Sequence, residues 1–306
     1  MTKIAVIGSR SLIAKEFLKF LNQQECEVLL FGREQLGATN FNFPESKVDL
    51  TLLKDCDWIF YFAGAGIQPK SNPSAEELYG INCFEPIRMF EGLNQLGYKG
   101  NVVTFGSYFE IGRVDTQKAF NEEELIFSKH EVLNSYASSK RLFSRYIYDV
   151  TKKDFAFKFT HFYLPNIYSA YENQSRLIPY LLHSVKNGNS IHLSNGNQQR
   201  QYVHVKDICK FLVGYCKNAI KYSGYFNLGN TTAITVKDIV KEVTDQSENH
   251  GYAIPEITFG VVERRDSFAP FLLLEDEKAR NELSWYPTID LNQGINEYFK
   301  VDGKRD

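Results

Sequence analysis

At 306 residues, 43% hydrophobic and 24% charged, the chain is long enough to bury a full core and has the composition of a folded globular protein, which excludes a disordered or low-complexity segment. Its 35 basic side chains oppose 37 acidic ones, and a formal charge of −2 argues against a general nucleic-acid or anionic-membrane partner. Five cysteines, an odd number with no C-x-x-C pair, read as buried thiols of a reducing compartment rather than a disulfide frame or metal site, so the protein is expected in the cytoplasm.

The chain opens directly on the apolar run Ile4-Ala5-Val6-Ile7, so no signal peptide is expected, and no stretch of about 18 uncharged apolar residues marks a membrane span. Residues 3–7 read as a buried strand ended by Gly8-Ser9-Arg10-Ser11. Leu12, Ile13, Phe17, Leu18 and Leu21 follow at helical spacing. Residues 28–31 and 58–62 are further buried strands, the second ending in Ala63-Gly64-Ala65-Gly66. One long helical pattern covers 74–96 and leads into a strand at 101–105 that ends on Gly106-Ser107. A helix around Tyr136 and a strand at 155–162 complete the alternation that predicts a parallel sheet. After Pro165 helical segments at 176–186, 205–217 and 236–244 alternate with short strands at 190–193, 201–204, 224–228 and 257–259, separated by Asn/Gly turns. The expected architecture is a doubly wound parallel α/β sheet. A dinucleotide-binding domain spans 1–165 and a smaller α/β lobe, partly interleaved with the sheet, spans 166–306.

Tyr136 and Lys140 stand four residues apart and share one helix face. A phenol titrates near ~10 in water, and an ammonium beside it is expected to lower that value and make tyrosine a proton donor or acceptor. In the first loop Gly8, Ser11 and Ala14 occupy the positions of a glycine-rich phosphate fingerprint, where the helix amides offer donors and a positive dipole end. Ser11 departs from glycine, though its hydroxyl can itself donate to a phosphate. Strand two ends at Arg33, and with Arg10 it offers two guanidinium groups to a 2′-phosphate, which favours NADP(H) while leaving NAD(H) open.

Taken together these residues resemble the extended short-chain dehydrogenase/reductases, the NAD-dependent epimerase/dehydratase group that acts on nucleotide sugars. The resemblance runs from Ile4 to about Phe299. Its marks are Gly8, Asp49-Leu50, Phe62-Ala63-Gly64, Asn82, Ser107, the Tyr136/Lys140 pair and Asn166-Ile167-Tyr168. They continue through Arg200-Gln201-Tyr202-Val203-His204-Val205-Lys206-Asp207, Phe226-Asn227-Leu228-Gly229 and Leu283-Ser284-Trp285-Tyr286-Pro287. It implies that Tyr136 is the acid/base, that Lys140 supports it and holds the nicotinamide ribose, and that Ser107 bonds the reacting oxygen. It implies cofactor contacts from Gly8, Ser9, Arg10, Ser11, Leu12, Ile13, Arg33, Asp49, Leu50, Phe62, Ala63, Gly64 and Asn82. Substrate contacts are implied for Ser107, Tyr108, Asn166, Arg200 and Arg265, and a homodimer through the long helices is implied as well.

The departures narrow the chemistry. Tyr163 stands where many members carry arginine, and Ser169-Ala170 replaces Gly-Pro after Tyr168. Where 4,6-dehydratases place Thr-Asp-Glu for elimination, this chain has Ser107-Tyr108-Phe109, followed by Glu110-Ile111-Gly112. That run, and residues 259–266, are similar to 4-keto-6-deoxyhexose reductases of the abequose-synthase type. The expected activity is therefore NAD(P)H-dependent reduction of the 4-keto group of a CDP- or dTDP-linked 4-keto-6-deoxyhexose in O-antigen sugar synthesis. A nucleotide-sugar 4-epimerase holding NAD, and a non-catalytic nucleotide-binding regulator, are the alternatives. The histidines show no metal-ligand spacing, and no metal is assigned.

Overall fold

Ile4, Ala5, Val6 and Ile7 are all buried, as a strand covered on both faces requires. They belong to β1 (Thr2–Ile7) of the computed structural model, which describes residues 1–21, 25–33, 37–66, 73–132, 134–217, 223–263 and 269–302. There follow α1 (Leu12–Phe20), β2 (Cys26–Gly32), β3 (Ala38–Asn40), β4 (Trp58–Tyr61), α2 (Ala75–Tyr79), α3 (Glu85–Gln95), β5 (Asn101–Ser107), α4 (Glu122–Ile126), α5 (Ser135–Val150) and β6 (Lys158–Leu164). Next come β7 (Asn166–Tyr168), α6 (Leu177–Lys186), β8 (Ile191–Leu193), β9 (Gln199–Arg200), β10 (Tyr202–His204), α7 (Val205–Lys217) and β11 (Gly224–Asn227). The chain closes with β12 (Ile234–Thr235), α8 (Val236–Asn249), β13 (Ile257–Phe259), β14 (Phe271–Leu272), α9 (Glu277–Leu283) and α10 (Leu291–Asp302).

Seven strands form one parallel sheet in the order β11-β6-β5-β4-β1-β2-β3. The chain moves outward from β1 to β3, then returns to β4 and proceeds the other way. The crevice at the carboxyl ends of β1 and β4 is thus the switch point where open α/β sheets bind ligands. The pleat divides the core: Trp58, Phe60 and Phe62 face one apolar layer with Phe17, Phe105 and Phe162, while Ile59, Tyr61 and Ala63 face the other with Phe90, Phe143 and Ile147. A further cluster, including Tyr168, Ile178, Leu182, Ile239 and Ile295, joins the segments after β6, yet β11 from this part of the chain completes the main sheet.

The helical pattern expected over 74–96 is interrupted. Ser74 caps α2 in a capping box with Glu77, but Gly80–Phe84 opens into one wider π turn before α3 resumes. Pro86 has no amide to return to the carbonyl four residues earlier, and the Glu85 amide instead reaches Gly80. The widened turn carries Asn82 inward, where it is buried. All five cysteines are free thiols, and burial pushes Cys56 and Cys83 up to about 11. No helix among the described residues is long and apolar enough to cross a membrane.

Candidate active site

β1 runs into Gly8, where φ is 83° and a Cβ would lie 2.4 Å from the backbone nitrogen of Ala63. Only glycine fits so close an approach of loop to strand. The amides of Gly8 and Ser9 both donate to the carbonyl of Phe31, at 2.8 and 3.1 Å, and the Ser11 amide donates to the carbonyl of Gly8 at 2.9 Å. Ser11 caps α1, its oxygen accepting from the Ala14 amide at 3.2 Å. Leu12 and Ile13 begin the helix, so its first amides and dipole end lie at the crevice. This cradle fits the pyrophosphate of a dinucleotide.

Arg10 Nη1 donates to the carbonyl of Arg33 at 3.2 Å, which brings the two expected arginines together, exposed, beyond β1 and β2. Asp49 accepts from the Thr51 amide and hydroxyl at 2.9 and 2.7 Å, capping a short 3-10 turn, Leu50–Leu53. Those two bonds hold its carboxyl below the usual range. Leu50 fills the notch left by Gly92 of α3.

Opposite the loop, Phe62 stacks on Phe105 with ring centroids 5.0 Å apart, and residues 63–66 run past α5. Asn82 clamps this passage: its Oδ1 accepts from the Ala65 amide at 3.0 Å, and its Nδ2 donates to the Ala65 carbonyl at 2.8 Å and to Ser139 Oγ at 3.1 Å. The side chain expected to touch cofactor is thus committed to joining the loop to α5. Gly64 lies beside Lys140 Nζ, and Gly66 beside the Tyr136 ring, each within 4 Å of a Cβ built on the glycine.

Asn134 caps α5 through the Ala137 amide at 2.9 Å, placing Tyr136 in the first turn and Lys140 one turn on. Lys140 Nζ donates to the carbonyl of Phe105 at 2.9 Å. The expected lowering of the phenol by this ammonium needs correction. Burial raises the Tyr136 phenol, and the largest opposing influence is the nearby Ser107 hydroxyl. Lys140 itself is pushed down to about 8 by burial, with the Glu110 carboxylate acting in the opposite sense.

Ser107 ends β5 and caps the 3-10 turn Tyr108–Ile111, its Oγ accepting from the Phe109 amide at 3.3 Å. Glu110, fully buried, turns away from the crevice: Oε1 accepts from the Ser107 amide at 2.7 Å and Oε2 from the Ser144 hydroxyl at 2.5 Å. Burial pushes its carboxyl up to about 7.

The expected substrate contacts divide. Asn166 sits on β7 opposite Tyr202 of β10. Tyr108 is buried in an apolar cluster with Ile111, Leu125 and Leu272. Arg200 is buried, with its guanidinium donating to the carbonyls of Gln199 and Ala269 at 2.8 and 2.7 Å. Arg265 lies outside the described residues. Sequence reasoning passed over Arg176, the N-cap of α6, which is bonded to Glu172 at 2.9 Å and close enough to Tyr136 and Tyr202 to pull both phenols down. An arginine immediately before a helix, where a short polar cap is usual, was the available signal.

The family model described as the NAD dependent epimerase/dehydratase family matches residues 4–229. The chain belongs to this family. Its members are NAD-dependent enzymes of the nucleotide-sugar oxidoreductase, epimerase and dehydratase type. Among curated relatives, the CDP-abequose synthase of Salmonella muenchen is 24% identical over 175 residues, 55% of this chain and 58% of that protein. The dTDP-4-dehydro-6-deoxyglucose reductase of Escherichia coli is 22% identical over 232 residues, 74% of this chain and 66% of that protein. The match therefore spans less than two thirds of either relative's length. Solved structures of the same fold include the dTDP-glucose 4,6-dehydratase of Bacillus anthracis in complex with NAD (TM-score 0.78, 17% identity, 100% of this chain and 97% of that one). The RMD protein of Pseudomonas aeruginosa complexed with NADPH is another (TM-score 0.77, 14% identity, 100% of both chains).

Proposed function

We propose that this protein reduces the 4-keto group of a CDP- or dTDP-linked 4-keto-6-deoxyhexose with NADPH, a step in making an O-antigen sugar. The observation that carries this reading is the turn after Ser107. The phenol of Tyr136 lies near the Ser107 hydroxyl at the crevice, whereas the acid of the turn, Glu110, is buried beneath it and bonded to Ser144. A site with a hydroxyl pair and an ammonium, and with the acid of the Ser107 turn buried away from the crevice, suits addition to a carbonyl and not elimination of water.

When bound, the nicotinamide supplies the hydride. Ser107 and Tyr136 then donate to the ketone oxygen as negative charge builds there, and Tyr136 delivers the proton. Lys140 supports the anionic phenol and holds the ribose. The Gly8–Ile13 cradle takes the pyrophosphate, Arg10 and Arg33 the 2′-phosphate, and Asp49, Leu50 and residues 62–64 the adenine side. Asn166 and Arg265, on the lobe at 166–306, take the nucleotide sugar, joined by Arg176, while Arg200 holds the backbone at Gln199 and Ala269. The same reading has the enzyme work in the cytoplasm, where its five free thiols stay reduced.

The test offers CDP-, dTDP-, UDP- and GDP-linked 4-keto-6-deoxyhexoses with NADPH and with NADH. One equivalent of nicotinamide oxidised per product supports reduction; conversion with no net absorbance change would identify an epimerase, and binding without turnover a regulator. In the same assay Arg10→Ala with Arg33→Ala is expected to weaken NADPH by about tenfold or more while leaving NADH nearly unchanged, as two lost arginine contacts to one phosphate imply. Equal losses for both cofactors would remove the 2′-phosphate assignment. Phe84, at 60% exposure, and Leu142, at 48%, lie on adjacent helical segments and support pairing of two copies there. Light scattering should then show a dimer that Leu142→Glu converts to a monomer.

A further inference from the structure

Beneath the Ser107 turn lies a chain of polar groups that the mechanism above does not use. Ser144 Oγ, which donates to Glu110 Oε2, stands 3.2 Å from His161 Nε2, and His161 Nδ1 stands 2.8 Å from Thr104 Oγ1. Glu110, Ser144 and His161 are fully buried, and Thr104 nearly so. Thr104 and His161 face each other across β5 and β6 in register, and the ring of Tyr163 meets His161 edge-on at 4.9 Å. A Cβ at Gly106 would lie 2.6 Å from His161 Nε2 and 2.7 Å from Glu110 Oε1, so the strand omits a side chain where the chain of bonds closes.

The donors can be ordered in two ways only. With Glu110 ionised, Thr104 donates to Nδ1, Nε2–H donates to Ser144, and Ser144 donates to the carboxylate. With Glu110 protonated, every bond reverses and the imidazole changes tautomer. His161 remains neutral in both, since burial and the nearby Lys140 push it down to about 3. The charged and titratable groups around Glu110 are Lys140, Arg141 and Tyr136 from α5 and His161 and Tyr163 from β6. Arg141 is committed to the Glu110 and His130 carbonyls at 2.6 and 2.7 Å. Lys140 bonds the carbonyl of Phe105, two residues from the Ser107 amide that Glu110 holds, and is the remaining cation beside that carboxylate.

We propose that Glu110 is a positioning residue for this site: its carboxylate, oriented by Ser144, fixes the Ser107 backbone from below, two residues from the Phe105 carbonyl that Lys140 bonds, and its charge there keeps Lys140 protonated. The inference rests on the assignment of Ser107, Tyr136 and Lys140 to the reaction, but its test does not require turnover. An uncharged neighbour removes the support that keeps Lys140 protonated, so the Lys140 titration must move toward acid.

The experiment measures the pH dependence of Lys140 acylation by mass spectrometry in the full-length, ligand-free protein, for wild type, Glu110→Gln and Ser144→Ala. Glu110→Gln keeps an oxygen for the Ser107 amide, and its Lys140 curve is expected about one pH unit lower. Ser144→Ala, which withdraws a donor from the carboxylate and extends its protonated range, should shift the curve in the same direction by less. If Glu110→Gln does not fold, Ser144→Ala decides. Coincident Lys140 curves in the folded variants would overturn the proposal. With an active keto sugar, the alkaline limb of kcat should move by the same amount while KM changes little. A shifted Lys140 curve in a protein that reduces none of the keto sugars would leave this inference standing and remove the assigned reaction.

Discussion

Replacing Tyr136 by Phe should lower turnover by about a hundredfold or more while leaving dinucleotide affinity within about twofold, because one general acid is lost and the ring is kept. The ring stays packed beside Gly66, and α5 retains its Asn134 cap, so the fold has no reason to change. Only the hydroxyl near Ser107 disappears. Steady-state NADPH oxidation gives the first quantity and fluorescence titration of the cofactor the second. Full activity in the variant would remove Tyr136 from the mechanism; matched losses of activity and affinity would recast it as a cofactor contact.

Gly8→Ala is the second large effect, and it is structural in origin. A non-glycine residue at positive φ costs about 1–2 kcal/mol, and the added methyl would also meet the Ala63 backbone at 2.4 Å. Backbone on both sides cannot rotate away as a side chain would. The variant should lose about 3 kcal/mol or more of stability in urea unfolding and bind dinucleotide at least about tenfold more weakly. An alanine that changed neither would show slack between β1 and β4.

These expectations also mark how far the sequence could be read. The strands were legible because parallel strands buried on both faces are short apolar runs, and small residues break the pattern beyond them: Gly8 directly after β1, Gly64 three residues past β4, and Ser107 at the end of β5. The partners of those ends were legible only through the resemblance, since spacing alone does not bring Gly8 against Ala63. Interruption of the helix at Gly80–Phe84 escaped the periodicity, which registers apolar faces and not a missing amide. The behaviour of Tyr136 was misjudged for a related reason. A four-residue spacing shows that two side chains share a face, but not that Lys140 turns to Phe105 or that burial dominates the phenol.

The buried chain under Ser107 had a signal that periodicity analysis overlooks. Thr104 and His161 are buried polar residues inside mostly apolar strands, and each needs a buried partner. Their pairing, and the bond from Ser144 to Glu110, join residues 57 and 34 positions apart. Such distances are set by the register of β5 on β6 and by the docking of α5, neither of which a local pattern reveals.

The clamp made by Asn82 has a wider consequence. One amide holds the strand-end passage at Ala65 and the helix serine Ser139 together, so the passage after β4 and the helix carrying the phenol form a single piece. Their alignment is achieved when the chain folds. A ligand then meets a preorganised surface, and the entropy of matching the two walls is no longer charged against either binding or reaction.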